Sequence, residues 1–434
     1  MHPTLVGILL VLGYYCLQEY VASDASEEFK HGRLSSGELK MAGDIRSRLG
    51  NGSAWKRTHQ DLYVCTAYLD DRTRPALVRF VGVANASGHG YSARRRFFPS
   101  FECVFAYRNK TSLETSQASW NVLGELGNEN MESVLVTCPL QGIEPLPDLT
   151  SLVYYNSDPV VYFTLRRLRW NVRKVPFSVG LCVSPSGATW SDVRAVAEFV
   201  AYYGVLGVRQ FYFYVYAATP EVLDFLLDLK NRLHLNISFR IWRGLPTSRI
   251  SEVADGAFIN DCILRYVPTS TEYVLTASLN EFVSLRRVAT LQDLLASAPK
   301  ATALTFLSYP FYGQRPSATE LITQTNVLRS SLVEPPGLTS RVLVKARLVM
   351  EAGSRVAFSL HDAQRHLFDP EEACLHRYDL VVNTRATSTE VENTELDSHM
   401  RKLGPKLYSS PVWQFWLNRQ QPRPTPLSLL GGRR

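Results

Sequence analysis

Phe177-Ser178-Val179-Gly180-Leu181-Cys182-Val183-Ser184 is an apolar run of strand length, and the pattern after it changes period. Trp190, Val193, Ala197 and Val200 recur at helical spacing, which predicts a helix over 190–203 with Gly204 at its exit. A second strand is expected over 210–216. Thr219-Pro220 then supplies a cap and first-turn pair for a helix reaching residue 233. Outward from this core the same reading gives strands at 237–242, 272–277 and 303–307, with helices at 251–265 and 291–298. Repeated alternation of strand and helix predicts right-handed crossovers. The fold class is therefore α/β, with a Rossmann-like mixed, mostly parallel sheet and ligands at the carboxyl ends of its strands.

Upstream the pattern differs. Over 59–150, short β-type runs at 62–69, 76–83, 101–107 and 133–138 alternate with turn residues, predicting a small, mainly antiparallel β domain. Cys103 and Cys138 fall in two of those strands and are the first candidates for a disulfide. Residues 151–176, entered past Pro145 and Pro147 and containing Pro159, read as a linker, and its basic cluster from Arg166 to Lys174 as a solvated face. Residues 24–58 are polar and read as a flexible stem, 177–385 carry the α/β domain, and 386–434 form a C-terminal extension.

The first 23 residues bear on the compartment. From Leu5 to Leu17 the chain is uncharged and almost wholly apolar, and Val21-Ala22-Ser23 offers small residues for a signal peptidase. Thirteen residues is short for a span of about 20, so a cleaved signal peptide and a short type II signal-anchor both fit; either places the rest in the secretory lumen. Four acceptor triplets, at Asn51, Asn85, Asn109 and Asn236, agree with a lumenal glycoprotein. Of seven cysteines, Cys16 lies in the apolar run, and the remaining even set suits an oxidising compartment.

Among 434 residues, 45% are hydrophobic and 20% charged, which excludes a disordered or multi-span membrane chain. The net charge of +7 is mild for this length and permits an anionic ligand. The absence of basic blocks and zinc-finger spacing argues against nucleic acid. No glycine fingerprint, Walker loop, His-Glu-x-x-His or Gly-x-Ser-x-Gly elbow occurs, so dehydrogenase, P-loop NTPase, zincin and α/β-hydrolase readings lose ground.

Gly180-Leu181-Cys182-Val183-Ser184-Pro185, the segment Glu198 to Val208, Phe211-Tyr212-Phe213-Tyr214, Asn260-Asp261-Cys262 and Ser278-Leu279-Asn280-Glu281-Phe282, in that order, resemble glycosyltransferase family 92. Ala67-Tyr68 with Asp71-Arg72, Cys103-Val104-Phe105 and Thr137-Cys138-Pro139 resemble its N-terminal region. The resemblance covers roughly 60–380. It implies a GT-A type fold and an inverting Golgi galactosyltransferase with a short membrane anchor. Such an enzyme moves a sugar, usually galactose from UDP-galactose, to a glycan on glycoprotein or glycolipid, using a divalent metal, commonly manganese. The cation neutralises charge developing on the UDP diphosphate.

The family's carboxylates for that cation come from an Asp-x-Asp-Glu-Phe segment, and here Ser278 and Asn280 stand where both aspartates are expected. Asn280, Glu281 and His361 are then the expected metal ligands. Cys182, Val183, Ser184, Asp261, Ser278, Asn280 and Arg377 are the expected donor contacts, and Glu281 and Asp261 the leading catalytic carboxylates, with Glu320, Asp362 and Asp369 as other possible bases. Each has a plainer reading: a core strand for Cys182–Ser184, a local cap for Asp261, a hydrogen-bonded histidine for His361. The alternative to an enzyme is a catalytically inactive relative that binds a glycan or a protein partner.

Overall fold

The computed structural model describes residues 54–420 apart from 60–61, 86–100, 108–112, 124–130, 141–145, 155–160, 170, 186–188, 246, 248–252, 314, 336–339, 354–356, 360–363 and 379–392. The leader, most of the stem, the triplets at Asn51 and Asn109, the Asn85 side chain, His361 and Asp362 lie outside the described residues.

The upstream β-type runs form β1 (Lys56–His59), β2 (Leu62–Asp70), β3 (Leu77–Asn85), β4 (Phe101–Ala106), β5 (Glu114–Gln117), β6 (Ser119–Val122), β7 (Met131–Pro139), β8 (Leu149–Tyr154) and β9 (Phe163–Arg167). They make one sheet in the order β5-β4-β8-β9-β2-β3-β7-β6, with β1 on β2. Every pairing is antiparallel except β2 with β9. The stretch read as a linker thus contributes β8 and β9. Pro147 lies just ahead of β8, and Pro176 lies inside the strand Val175–Val183. Trp55, read as stem, is buried and packs on Trp242 with ring centroids 4.8 Å apart. Cys103 and Cys138 are disulfide-bonded as expected.

The α/β part runs β10 (Val175–Val183), α1 (Val193–Val205), β11 (Gln210–Val215), α2 (Pro220–Arg232), β12 (Asn236–Ile241), α3 (Asp255–Tyr266), β13 (Thr271–Ala277), β14 (Glu281–Leu285), α4 (Leu291–Ser297), β15 (Ala303–Phe306), β16 (Ser308–Tyr312), α5 (Ile322–Thr325), β17 (Leu328–Ser330), β18 (Arg341–Lys345), β19 (Val349–Ala352), β20 (Ala357–Ser359), β21 (Arg365–Leu367), β22 (Ala373–Tyr378), β23 (Thr394–Leu396), α6 (Gly404–Tyr408) and α7 (Pro411–Gln420). Asp192 caps α1 through the Ala195 N–H, and the helix is ended by Gly207 at φ +95° rather than by Gly204. The main sheet has the order β12-β11-β10-β13-β18-β15-β21. Strands β12, β11, β10 and β13 are mutually parallel, and β18 is inserted antiparallel between β13 and β15. A second sheet, β14-β22-β16-β17-β23, leaves the first at the turn after β13.

Helices α6 and α7, in the stretch read as an extension, bury Leu407, Val412, Trp413 and Trp416 in the same core as α1 and β10. Their apolar side chains are spaced for one helix face, so 404–420 is integral to the domain. A second cluster joins Tyr68, Val81 and Leu135 of the first sheet to Phe258, Cys262 and Tyr266 on α3, which makes that helix the hinge of packing between the two parts.

Candidate functional site

Sequential strands run outward from β10 on both sides, to β11 and β12 one way and to β13 the other, so the switch point, the crevice at which sheets of this kind take ligands, lies at the carboxyl ends of β10 and β13. The register Val183↔Ala277 brings the next residues together there. Ser184 Oγ and Ser278 Oγ lie 2.6 Å apart. Past Ser278 the chain turns through 279–280 into β14. The Glu281 carboxylate folds back over that turn and accepts the Ser278 N–H (2.7 Å), while the Glu281 N–H donates to the Ser278 carbonyl (3.0 Å). Below it the Tyr203 hydroxyl donates to the Glu281 carbonyl (2.9 Å) and accepts the Val283 N–H (3.3 Å).

Arg341 opens β18. Because β18 is antiparallel to β13, its first residue stands beside the last of β13, at the crevice. Arg341 Nε donates to Glu281 Oε2 (2.7 Å), Nη2 to Ser278 Oγ (3.1 Å) and Nη1 to Asp255 Oδ1 (3.4 Å). Asp255 is the first residue of α3. Burial pushes the Asp255 carboxyl above its ordinary range, Arg341 opposes this and Glu281 adds to it. For Arg341 burial works against the charge, but Glu281 and Asp255 outweigh it and hold the guanidinium protonated.

Ser184, Ser278, Asn280 and Glu281 are therefore brought together at these strand ends. Other expected residues are engaged elsewhere. Cys182 is bonded to Cys262, tying the end of β10 to α3, and is wholly buried, so its sulfur is not open to a nucleotide. The Val183 side chain belongs to the core. Asp261 is also buried: it accepts from the Tyr214 hydroxyl (2.6 Å), the Tyr68 hydroxyl (2.7 Å) and Arg265 (2.8 Å). Burial would raise its pKa, but Arg265, Arg240 and these hydrogen bonds hold it well below the carboxylate range, so it has little basicity for a proton. Arg377 faces Glu281 in the β14–β22 register, yet its guanidinium forms a two-pronged pair with Glu334 at 2.9 Å per prong. Glu320 and Asp369 are exposed and accept local backbone N–H groups from Ser317 and Glu371.

The donors at the turn do not suit a divalent cation. Glu281 Oε2 is already shared between the Ser278 N–H and Arg341, and the Asn280 amide donates to the Tyr378 carbonyl (3.2 Å). Among the described residues no three His, Cys, Asp or Glu side chains converge to hold a metal. Sequence reading missed Asp255 and Arg341. Neither lies in a motif, and the only local signal was an acid at a helix start.

A mostly parallel sheet with hydroxyl, carboxylate and guanidinium groups gathered at its switch point places the chain in the class of mixed α/β proteins. The profile of glycosyltransferase family 92 matches residues 177–408, and the chain belongs to that family. No curated protein matches it. A Bacillus anthracis structure assigned as a glucose-1-phosphate thymidylyltransferase, in complex with sucrose, overlays with a TM-score of 0.27 at 6% identity, over 55% of this chain and 99% of that one. An overlay this weak carries no argument.

Proposed function

We propose that the protein is a UDP-sugar-dependent glycosyltransferase of GT-A type. It transfers galactose from UDP-galactose, with inversion, to a glycan on glycoprotein or glycolipid in the Golgi lumen. The observation that supports this is the crevice at the ends of β10 and β13, where Ser184, Ser278, Glu281 and Arg341 meet inside the family-matched region. In the reaction an acceptor hydroxyl oxygen attacks the anomeric carbon, the bond from that carbon to the diphosphate breaks, and UDP leaves with the electron pair. The hydroxyl proton passes to a carboxylate. Asp255 and Glu281 are the acids at the crevice, and burial lifts the Asp255 carboxyl toward the basicity a proton acceptor needs.

The lumenal setting rests on the apolar leader and on Asn236, an exposed acceptor site at the start of β12. Among the described residues no helix is long and apolar enough to cross a membrane; a leader-borne anchor or signal would lie within 1–23.

A second reading, a catalytically silent glycan-binding relative, is favoured by one observation. The carboxylate retained in the Asp-x-Asp-Glu-Phe-like segment is neutralised by Arg341. Incubating the purified lumenal chain with a panel of UDP-sugars and glycan acceptors, with and without manganese, decides between them. Acceptor-dependent UDP release, greatest with UDP-galactose, is the expected outcome. Donor binding without release under every condition replaces the enzyme reading with the silent one.

A further inference from the structure

Two acids from separate elements, Glu281 at the start of β14 and Asp255 at the start of α3, hold one arginine from a third, at the start of β18. This fixes the guanidinium, with its charge shared between the two acids, beside Ser278 at the mouth of the crevice. We propose that Arg341 is the built-in cation that receives the diphosphate of the nucleotide-sugar donor, so that donor binding requires no divalent metal. The proposal rests on the glycosyltransferase reading above.

Arg341 spends one N–H on each partner: Nε on Glu281, one from Nη1 on Asp255 and one from Nη2 on Ser278. A guanidinium carries five, so among the described residues the second N–H on each terminal nitrogen remains to donate to an anion. Its side chain is 14% exposed, so it is not sealed from solvent. Because Glu281 and Asp255 already orient the guanidinium, little reorganisation is needed when a diphosphate arrives. Among the described residues a divalent cation in the same turn would meet this guanidinium with hydroxyls, one amide carbonyl and an already paired carboxylate as ligands. The Ser278 and Asn280 replacements and the presence of Arg341 then have one explanation: the cation is part of the chain.

The test is equilibrium binding of UDP to the whole lumenal chain, measured by calorimetry in EDTA and again in millimolar manganese. Wild type is expected to bind equally in both, within about twofold. Arg341→Gln should weaken binding by roughly tenfold or more in both buffers, and Arg341→Lys, which keeps charge and loses the fork, should fall between. Ser278→Asp with Asn280→Asp should leave manganese affinity low while Arg341 remains, because the new carboxylate at 278 is captured by Nη2. Strong dependence of wild-type UDP binding on manganese overturns the inference and leaves the glycosyltransferase reading standing. So does unchanged UDP binding by folded Arg341→Gln. If wild type binds neither UDP nor any UDP-sugar in either buffer, the glycosyltransferase reading fails and takes the inference with it. Should Arg341→Gln not fold, the two wild-type titrations decide alone.

Discussion

Removing the charge of Asp261 leaves Arg265 and Arg240 beside two tyrosine hydroxyls with no anion to balance them. Breaking one side of a buried pair typically costs about 3–5 kcal/mol, so Asp261→Asn should lower stability by that order in denaturant titration while KM for the donor stays unchanged. A large loss of turnover with an intact thermal midpoint would instead make Asp261 a base. His376 supplies a second prediction. Its ring is wholly buried and stacks on Phe311, and burial pushes its pKa down to about 3, against the opposing pull of Asp397. Between that value and the unfolded value of 6.5 the unfolded chain binds a proton that the folded ring refuses, so stability falls as pH drops through this window. The slope contributed is up to ~1.4 kcal/mol per pH unit. Thermal midpoints measured from pH 7 to 4 should decline less steeply in His376→Gln than in wild type. An identical slope in the two proteins removes His376 as the source.

Strand β10 and helix α3 are joined twice, and both joints sit beneath the crevice. The Cys182–Cys262 bond closes a loop of 80 residues, for which the chain-entropy model gives ~4 kcal/mol of stabilisation. Peptide mapping without reduction should find Cys103 with Cys138 and Cys182 with Cys262, and the double substitution Cys182→Ser with Cys262→Ser should lower the thermal midpoint sharply. Recovering Cys182 as a free thiol from the secreted protein contradicts this. Next to it, Gly180 allows α3 to lie against the strand, since a Cβ there would fall 2.2 Å from the Tyr266 ring. Gly180→Ala should therefore destabilise by about 1–3 kcal/mol, the usual cost of overpacking. At this scale the strands and helices of 177–307 other than β14 were legible, because burial on one face leaves a period in the sequence. The insertion of β18 between β13 and β15 was not, since a strand's period does not name its neighbour. Only that insertion carries Arg341 to the carboxyl end of β13.

Across the whole molecule the antiparallel sheet is locked to the α/β part by polar contacts as well as by apolar packing. Arg240 on β12 donates to Thr66 Oγ1 (2.6 Å) and to the Cys65 carbonyl (2.7 Å), and Ser133 Oγ both donates to Val253 O (2.8 Å) and accepts the Ala257 N–H (3.0 Å). The first sheet thus supports α3, and through Asp255 and the disulfide α3 supports the site. Expressed in animal cells, the protein should lose mass on enzymatic removal of N-glycans, and Asn236→Gln should remove one step of that loss, because Asn236 is exposed. An unchanged mass after enzyme treatment overturns the lumenal assignment. What the sequence alone determined here is local: the apolar strand run of 177–184 followed by helical spacing from Trp190, the Thr219-Pro220 helix start, and the polar turn Ser278–Glu281 that follows a buried strand. Only tertiary structure decided which distant residues complete that turn. Arg341 lies 60 positions from Glu281 and Cys262 lies 80 from Cys182. Local sequence sets how a segment bends and which face it buries, whereas ion pairs and disulfides depend on which segments pack side by side, a choice made by the whole core at once.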